Sequence, residues 1–312
     1  MVSNIMMDRQ TTHRERIQAE PPIGPVLARF FSSGVLRELA HTGHSVTAGR
    51  LWKHHLVEQY SANTPLGEFY DAIFQRLTRE YRHEYIYKNA IAEKILLGKH
   101  NLNTAFMLTE FRVDDCKADA VVLNGTSHVY EIKSEMDSFE RLDRQLAAYH
   151  KMFDFITVIT TERLYRAVEE RVPPEVGIRV LVEGGYRFKQ HACRRDAISN
   201  KTNVDSIVIF NSLQRHEYLA IIKQVMGVSL NHLPNTQIYG EARKLFAQLS
   251  PEVAHDQMVE VLKHRKQTRR LAEFILEVPA SLKAASLSIR LTNEERGRFL
   301  GLLRTGIGQT FM

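Results

Sequence analysis

The segment spanning residues 118–133 constrains the fold of this chain more than any other stretch. Two apolar runs flank Asn124 and Gly125, a dipeptide that is typical of tight β-hairpin turns. The pattern therefore predicts two antiparallel strands joined at that turn. Residues two apart in a strand point to the same face of a sheet. We therefore expect the charged side chains of Glu131 and Lys133 to lie together in an otherwise apolar strand.

A third charged residue, Asp119, lies near the start of the first predicted strand and can reach the same place. Two carboxylates that approach each other repel, and each loses hydration when it is buried. A hard divalent cation relieves this repulsion, because Mg²⁺ binds carboxylate and carbonyl oxygens. The predicted ligands are Asp119, Glu131 and the backbone carbonyl of Ile132. Lys133 is then expected to help activate a water molecule and to stabilise negative charge, which indicates metal-assisted phosphodiester hydrolysis.

A helix is predicted to follow the second strand, over residues 138–153, with Asp137 as its N-cap. Gln145 and Tyr149 are four residues apart in this helix and therefore share a face. Gln145 is expected near the substrate or its attacking water. Arg141 and Arg144, on the same helix, are expected to contact phosphate groups.

An additional carboxylate, which would be an extra metal ligand or would position the water, is predicted from the helical stretch at residues 64–97. This stretch is expected to kink near residues 81–83. Glu84 lies on the apolar stripe of this helix, where a carboxylate is unusual unless it has a partner. Glu93 lies on the opposite face, whereas Glu80 is a rival on the same stripe. A simple ion pair remains an equal alternative for Glu84.

Glu110 lies in a strand predicted over residues 103–114. It can approach the metal if the strands align, but the sequence pattern gives no reason to prefer it. The β-branched and aromatic run at residues 154–160 is typical of a buried parallel strand.

These residues together resemble the core of the PD-(D/E)XK nuclease superfamily. The resemblance covers roughly residues 80–160, and residues 85–154 also resemble uncharacterised bacterial and phage proteins assigned to that superfamily. Ala118 stands where the family name has Pro. The motif residues are Asp119, Glu131-Ile132-Lys133, the RecB-like pair Gln145 and Tyr149, and the upstream Glu84.

The resemblance implies an α/β fold with a restriction-endonuclease-like mixed sheet flanked by helices. It also implies Mg²⁺ or Mn²⁺ as cofactor and a nucleic acid, expected to be DNA, as partner. In this reading Asp119, Glu131, Lys133, Gln145 and Glu84 are catalytic, and Tyr149 lies near the nucleic acid.

Four segments are predicted along the chain. Residues 1–25 form an extended or disordered arm, 26–63 a helical segment, 64–196 the nuclease-like core, and 197–312 a helical C-terminal domain. This last domain is a candidate surface for a protein partner or for homo-oligomer formation. It also carries a basic cluster that is expected to contact nucleic acid, namely Lys263, Arg265 and Lys266.

Composition limits the class of protein. The 312 residues carry a formal charge of +6 and an isoelectric point of about 9.2, which permits a polyanionic partner. No apolar run approaches the roughly 20 residues needed to span a bilayer, and residues 1–20 lack the apolar core of a secretion signal. Cys116 and Cys193 lack zinc-site spacing. We therefore expect a cytoplasmic protein with reduced thiols and no membrane partner.

Three functions fit these observations. The first is a divalent-metal-dependent nuclease. The second is a non-catalytic nucleic-acid-binding or regulatory protein on a nuclease-like fold, since a fold alone does not establish activity. The third, a structural phage or scaffold protein, would be expected to lack the buried ionic trio of Asp119, Glu131 and Lys133.

Overall fold

A five-stranded mixed sheet forms the centre of the protein in the computed structural model, which describes residues 22–98, 100, 102, 104–189, 194–265 and 269–311. The spatial order of the strands follows the chain order. The first three strands are antiparallel neighbours, and the last three are parallel neighbours. The strands are β1 (Phe106–Val113), β2 (Cys116–Leu123), β3 (Ser127–Lys133), β4 (Phe155–Thr160) and β5 (Gly177–Val180). The predicted mixed α/β sheet is confirmed.

The hairpin between β2 and β3 forms where the Asn-Gly pair predicts it. Leu123 pairs with Ser127 across the turn. Gly125 has a φ of 70°, a left-handed conformation that glycine adopts without steric cost. The register pairs Ala120 with Tyr130, so Asp119 lies opposite the next residue of β3, Glu131.

Six helical segments precede the sheet in the described part of the chain, and two further helices connect its parallel strands. Before the sheet come α1 (Ile23–Arg29), α2 (Ser33–Thr42), α3 (Val46–His55), α4 (Leu66–Glu80), α5 (Glu84–Ala90) and a π-helical segment (Ile91–Leu97). The connections between β3, β4 and β5 contain α6 (Leu142–His150) and α7 (Tyr165–Arg171). The predicted break at residues 81–83 is present between α4 and α5.

The C-terminal part of the described chain is helical, as predicted. Its helices are α8 (Ser206–Ser212), α9 (Arg215–Met226), α10 (Asn235–Phe246), α11 (Pro251–His264), α12 (Arg269–Glu277), α13 (Lys283–Ser288), α14 (Asn293–Leu302) and α15 (Ile307–Phe311), with short 3₁₀ turns at Lys201–Asn203 and Ala280–Leu282. In α11 the fully buried His255 reaches the sheet, where its Nε2 lies 2.7 Å from Ser127 Oγ.

The helix that follows β3 begins later than the sequence predicts. Asp137 does not cap it, because its carboxylate accepts hydrogen bonds from the backbone N–H (2.8 Å) and the hydroxyl (2.6 Å) of Ser134. These bonds close a turn directly after β3. The first turn of α6 therefore starts at Leu142 instead of residue 138.

The N-terminal helices and the end of the described chain pack against each other. The backbone N–H groups of Ile307 and Gly308 donate to the carbonyls of Thr64 (2.9 Å) and Ala62 (2.8 Å). The ring of Phe311 lies 5.7 Å from that of Phe30. One hydrophobic core thus joins the segments predicted as 26–63 and 197–312, and contacts run across the predicted boundaries.

No helix within the described ranges is both long enough and apolar enough to cross a membrane.

Candidate active site

Glu131 and Lys133 form a buried ion pair on one face of β3. The Lys133 Nζ lies 2.8 Å from Glu131 Oε1, and the two residues are only 5% and 1% exposed, respectively. Alternation along the strand places both side chains on this face. The sequence prediction that they lie together is therefore confirmed.

Helix α6 lies against this pair and supplies two further polar groups. Tyr149 donates its hydroxyl hydrogen to Glu131 Oε2 at 2.7 Å. Lys133 Nζ donates to Gln145 Oε1 at 3.0 Å. Because Gln145 and Tyr149 are one helical turn apart, both reach the same point of β3. Each oxygen of Glu131 thus accepts a hydrogen bond from a buried donor.

Asp119 occupies the adjacent strand at the same level. Its Oδ2 accepts a hydrogen bond from the backbone N–H of Ile132 at 2.8 Å, which replaces a ladder bond between β2 and β3. The N–H and C=O of one strand residue point to the same neighbouring strand. The carbonyl of Ile132 is therefore also directed towards β2, as its predicted ligand role requires.

The two carboxylates carry an electrostatic penalty in this environment. Burial raises the pKa of Asp119 well above its ordinary value, and the neighbouring carboxylates of Glu131 and Glu84 raise it further. Burial also raises the pKa of Glu131, although hydrogen bonds from Lys133 and Tyr149 oppose the increase. Any cation that approaches Asp119 relieves this penalty.

A second group of carboxylates surrounds Asp119 on its solvent side. Carboxylate oxygens of Glu84, Glu110 and Asp119 all lie within 4.8 Å of one another. Glu110 has a φ of 56° and lies between the pairs Thr109–Ala120 and Phe111–Ala118, so it faces Asp119 across the ladder.

Lysines neutralise part of this carboxylate group. The ammonium of Lys88 contacts both Glu84 and Glu110, and Lys117 lies 2.5 Å from Glu110. Burial acts to raise the pKa of Glu110, but the hydrogen bonds from Lys117 and Lys88 outweigh it and lower the pKa. The cluster therefore already attracts cationic groups from the protein itself.

The chemistry of the donors fits a hard divalent cation. Three carboxylates converge, the carbonyl of the neighbouring Ile132 is directed towards the same strand, and oxygen ligands of this kind suit Mg²⁺ and Mn²⁺. The candidate ligands are Asp119, Glu84, Glu110 and the carbonyl of Ile132. Glu131 lies beside this group, but Lys133 and Tyr149 hold its oxygens.

Glu84 reaches the site by a different route from the one that the sequence indicates. Its side chain is 49% exposed, because the break at residues 81–83 places it in the first turn of α5 and not within a buried stripe. It joins the carboxylate group from the solvent side. The rival Glu80 instead pairs with Arg76, with 2.8 Å between Oε2 and Nε.

Two predicted nucleic-acid contacts are occupied within the fold. Tyr149 is fully buried and cannot stack on a base while it holds Glu131. Arg265 is 16% exposed and forms a salt bridge with the buried Glu217, with 2.6 Å between Nε and Oε1. Both side chains are thus engaged within the fold in this conformation, and their contact with nucleic acid stays a prediction.

The other side chains predicted to contact nucleic acid differ in their exposure to solvent. Arg141 and Arg144 are exposed at the start of α6. Lys263 is largely covered and lies 3.5 Å from Glu260. Lys266 lies outside the described residues.

The sequence pattern gave no preference to Glu110 and did not indicate Lys88 or the arginines Arg37, Arg112 and Arg290 beside Glu110. A cavity of about 420 Å³ lies there and is lined by Glu110 together with Arg37, Arg112, Arg265 and Arg290. Three of these arginines, Arg37, Arg112 and Arg290, are exposed. They come from distant parts of the chain, so no local motif connects them.

Comparison with known proteins identifies a family. A family model described as Bacteriophage P4 protein cII matches residues 78–283. Protein cII of Enterobacteria phage P4 is 33% identical over 85 residues, which cover 27% of this chain and 32% of that protein. The aligned region thus spans about a third of the length of this curated relative. No solved structure matches the chain.

The family match extends over about two thirds of the chain and includes the whole sheet and α6. It therefore covers every residue of the buried network around Glu131. On the strength of that coverage, the chain belongs to the bacteriophage P4 protein cII family.

Proposed function

We propose that this protein is a divalent-metal-dependent nuclease of the PD-(D/E)XK type that hydrolyses phosphodiester bonds in DNA. The observation that carries the proposal is the convergence of Asp119, Glu131, Lys133 and Gln145 on rigid elements. Folding alone gains little from such an arrangement, because buried ionic groups are often no more stabilising than apolar ones. Perturbed carboxylates beside a buried lysine are typical of functional sites.

The residues of the chain have distinct roles in this proposal. Asp119 and Glu84, with Glu110, bind Mg²⁺ or Mn²⁺, which when bound supplies positive charge beside the scissile phosphate. Lys133 stabilises negative charge that develops on the phosphate oxygens. Gln145 and Glu131 hold the Lys133 ammonium in place, while Tyr149 fixes the orientation of the Glu131 carboxylate.

The exposed arginines beside Glu110 provide a path for the DNA backbone in this proposal. Arg37, Arg112 and Arg290 lie next to the carboxylate group, and arginine recognises phosphate through paired N–H donors. Arg141 and Arg144 add positive charge at the start of α6. The proposal places the protein and its substrate in the cytoplasm.

The decisive experiment is a cleavage assay with labelled linear, circular and single-stranded DNA in Mg²⁺, in Mn²⁺ and in EDTA. A Lys133→Met variant keeps the apolar stem of the side chain and removes its charge. We expect cleavage by the wild-type protein with either metal, no cleavage in EDTA, and at least a hundredfold loss in the variant. Such a loss corresponds to about 2.7 kcal/mol of transition-state stabilisation.

Lys244→Met is the matched control. Lys244 is 72% exposed on α10 and pairs with Glu241, far in sequence from the site. Cleavage by Lys133→Met at the wild-type rate, with circular dichroism showing both variants folded, would refute the role of Lys133.

A non-catalytic nucleic-acid-binding or regulatory protein is the second candidate function. It is favoured because groups of the protein itself already bind the carboxylates. Lys133 and Tyr149 bind Glu131. Lys88 bridges Glu84 and Glu110. Retained binding of DNA without cleavage under any metal condition would favour this function over the nuclease.

A further inference from the structure

A basic cavity lies on the face of the sheet opposite to the candidate active site. The register pairs Glu131 with Val158 and Ile132 with Ile159, and Ile159 pairs in turn with Arg179 of β5. Side chains alternate between faces along each strand. Arg179 therefore points away from the face that carries Glu131, and the cavity beside it is a separate site.

The lining of this cavity is strongly cationic. Its volume is about 650 Å³, and its basic side chains are Lys94, Arg179, Arg187, Lys189 and Arg194. Among the described residues that line it, none is acidic. The remaining lining residues are apolar: Ile95, Val182 and Phe188.

Two of the guanidinium groups share one carboxylate at the edge of the cavity. Arg179 Nη2 lies 3.2 Å from Asp196 Oδ1, and Arg194 Nη2 lies 2.8 Å from the same oxygen. Arg179 is only 20% exposed along its side chain. Burial lowers its pKa, and the neighbouring Arg194 lowers it further.

The two lysines of the lining also have carboxylate partners, Glu93 for Lys94 and Glu162 for Lys189. Within the described chain, five cationic side chains thus line a cavity beside three carboxylates, which leaves a local excess of positive charge.

We propose that this cavity binds a small phosphorylated organic ligand of the nucleotide class. Arginine forms paired, charge-assisted hydrogen bonds with phosphate oxygens, and Arg179, Arg187 and Arg194 all line the cavity. Phe188 and Ile95 offer an apolar wall for the remainder of the ligand. The volume falls in the range of small-molecule sites.

Three separate parts of the chain form the walls of the cavity. It lies between the π-helical segment, which contributes Lys94, β5, which contributes Arg179, and the chain that follows β5, which contributes Arg187. A π-helical insertion is frequent at functional sites, and here it carries a cationic side chain to the cavity. The proposal is independent of nuclease activity, because no residue of the carboxylate group takes part.

Isothermal titration calorimetry tests this proposal with ATP, AMP and inorganic pyrophosphate as probes. EDTA in the buffer keeps divalent cations from the carboxylate group on the other face. We expect saturable binding of at least one nucleotide at one site per chain. Arg187→Ala is expected to weaken it at least tenfold, and Arg187→Lys by less, since lysine retains the charge.

Arg166→Ala is the control. Arg166 is 83% exposed on α7 and pairs with Glu169, outside the cavity, so its removal is expected to leave nucleotide affinity unchanged. Arg187 is itself exposed, so its replacement is not expected to unfold the protein, and a thermal melt of each variant checks this.

Three results would overturn the proposal. The first is no detectable heat with any probe at millimolar concentration. The second is equal weakening by Arg187→Ala and Arg166→Ala, which would indicate non-specific attraction. The third is binding of a single-stranded oligonucleotide that depends on Arg187, without binding of any mononucleotide. This result would assign the surface to a polymer.

Discussion

At the scale of single residues, Asp119 shows that the candidate site carries an electrostatic cost. Its raised pKa means that the fold disfavours the ionised carboxylate, whereas the unfolded chain ionises it freely above its ordinary pKa of 3.8. The fold therefore carries a free-energy cost at neutral pH. That cost disappears as the pH falls through the raised pKa towards 3.8, since the carboxyl group is then protonated in the native state.

Asp119→Asn is accordingly expected to stabilise the protein at pH 8. The amide oxygen still accepts the Ile132 N–H, while the charge that Glu131 and Glu84 repel is removed. Urea denaturation in EDTA at pH 8 should show a higher free energy of unfolding, because each unit by which the fold raises the pKa corresponds to about 1.4 kcal/mol. The gain should shrink at pH 5, and DNA cleavage should be lost.

The control for this substitution is Asp143→Asn. Asp143 is exposed and pairs with Arg171, with 2.9 Å between Oδ2 and Nη2, and the hydrogen bond from Arg171 lowers its pKa. This variant should gain no stability at pH 8. Equal or lower stability of Asp119→Asn at that pH would contradict the electrostatic account of the site.

At the scale of secondary-structure elements, α6 holds the charged side chains of β3 in place through Gln145 and Tyr149. Tyr149→Phe removes one hydroxyl and leaves the buried Glu131 Oε2 without its 2.7 Å donor. An unsatisfied buried acceptor costs about 1–3 kcal/mol, so the free energy of unfolding should fall by that amount. Urea denaturation measures it, and the cleavage rate should fall as well, because the carboxylate that holds Lys133 is then less well oriented.

Tyr165→Phe offers a comparison on the next helix. Tyr165 is only partly buried and hydrogen-bonds Glu169 at 2.5 Å near the surface, so its replacement should change stability by less. If both variants lost the same stability, with wild-type cleavage in each, α6 would have no special role in holding the site.

The elements that the sequence predicts well are those whose signals are local. The β2–β3 hairpin follows from alternation and the Asn-Gly turn, and the four-residue spacing of Gln145 and Tyr149 places both on one face even though α6 starts four residues later than predicted. The start is misjudged because Asp137 has a second option, the Ser134 turn, which composition alone does not exclude.

Other parts of the site depend on contacts between distant segments. Glu110 reaches Asp119 because the β1–β2 register places the two residues opposite each other and because the Glu110 backbone is left-handed. No short sequence motif predicts either property. The exposure of Glu84 follows from how sharply the chain turns at residues 81–83. The arginines around Glu110 likewise come together only in the folded chain.

At the scale of the whole molecule, the contact between α3 and α15 joins regions separated by more than 250 residues. A Cβ atom on Gly49 would lie 1.9 Å from the carbonyl oxygen of Phe311, closer than any real contact permits. Gly49→Ala should therefore displace α15 from α3 and lower the free energy of unfolding by about 1–3 kcal/mol, the range typical of overpacked interiors. Differential scanning calorimetry should show a lower melting temperature.

Gly34→Ala is the matched control in a neighbouring helix. A Cβ on Gly34 meets no atom within 4 Å, and alanine favours helix over glycine by up to about 1 kcal/mol. This variant should melt at the same or a higher temperature. A Gly49→Ala protein as stable as Gly34→Ala would indicate that the α3–α15 contact is absent in solution.

The packing of Phe311 against Phe30 and Phe69, at ring distances of 5.7 and 5.5 Å, also has a consequence during protein synthesis. The N-terminal helices leave the ribosome long before residue 311 is made. The part of their aromatic surface that Phe311 covers therefore stays exposed during translation of the sheet and the helices that follow. Exposed apolar surface of this kind promotes aggregation of partly folded chains. Nascent chains of this protein are therefore expected to be clients of ribosome-associated chaperones until translation passes α15.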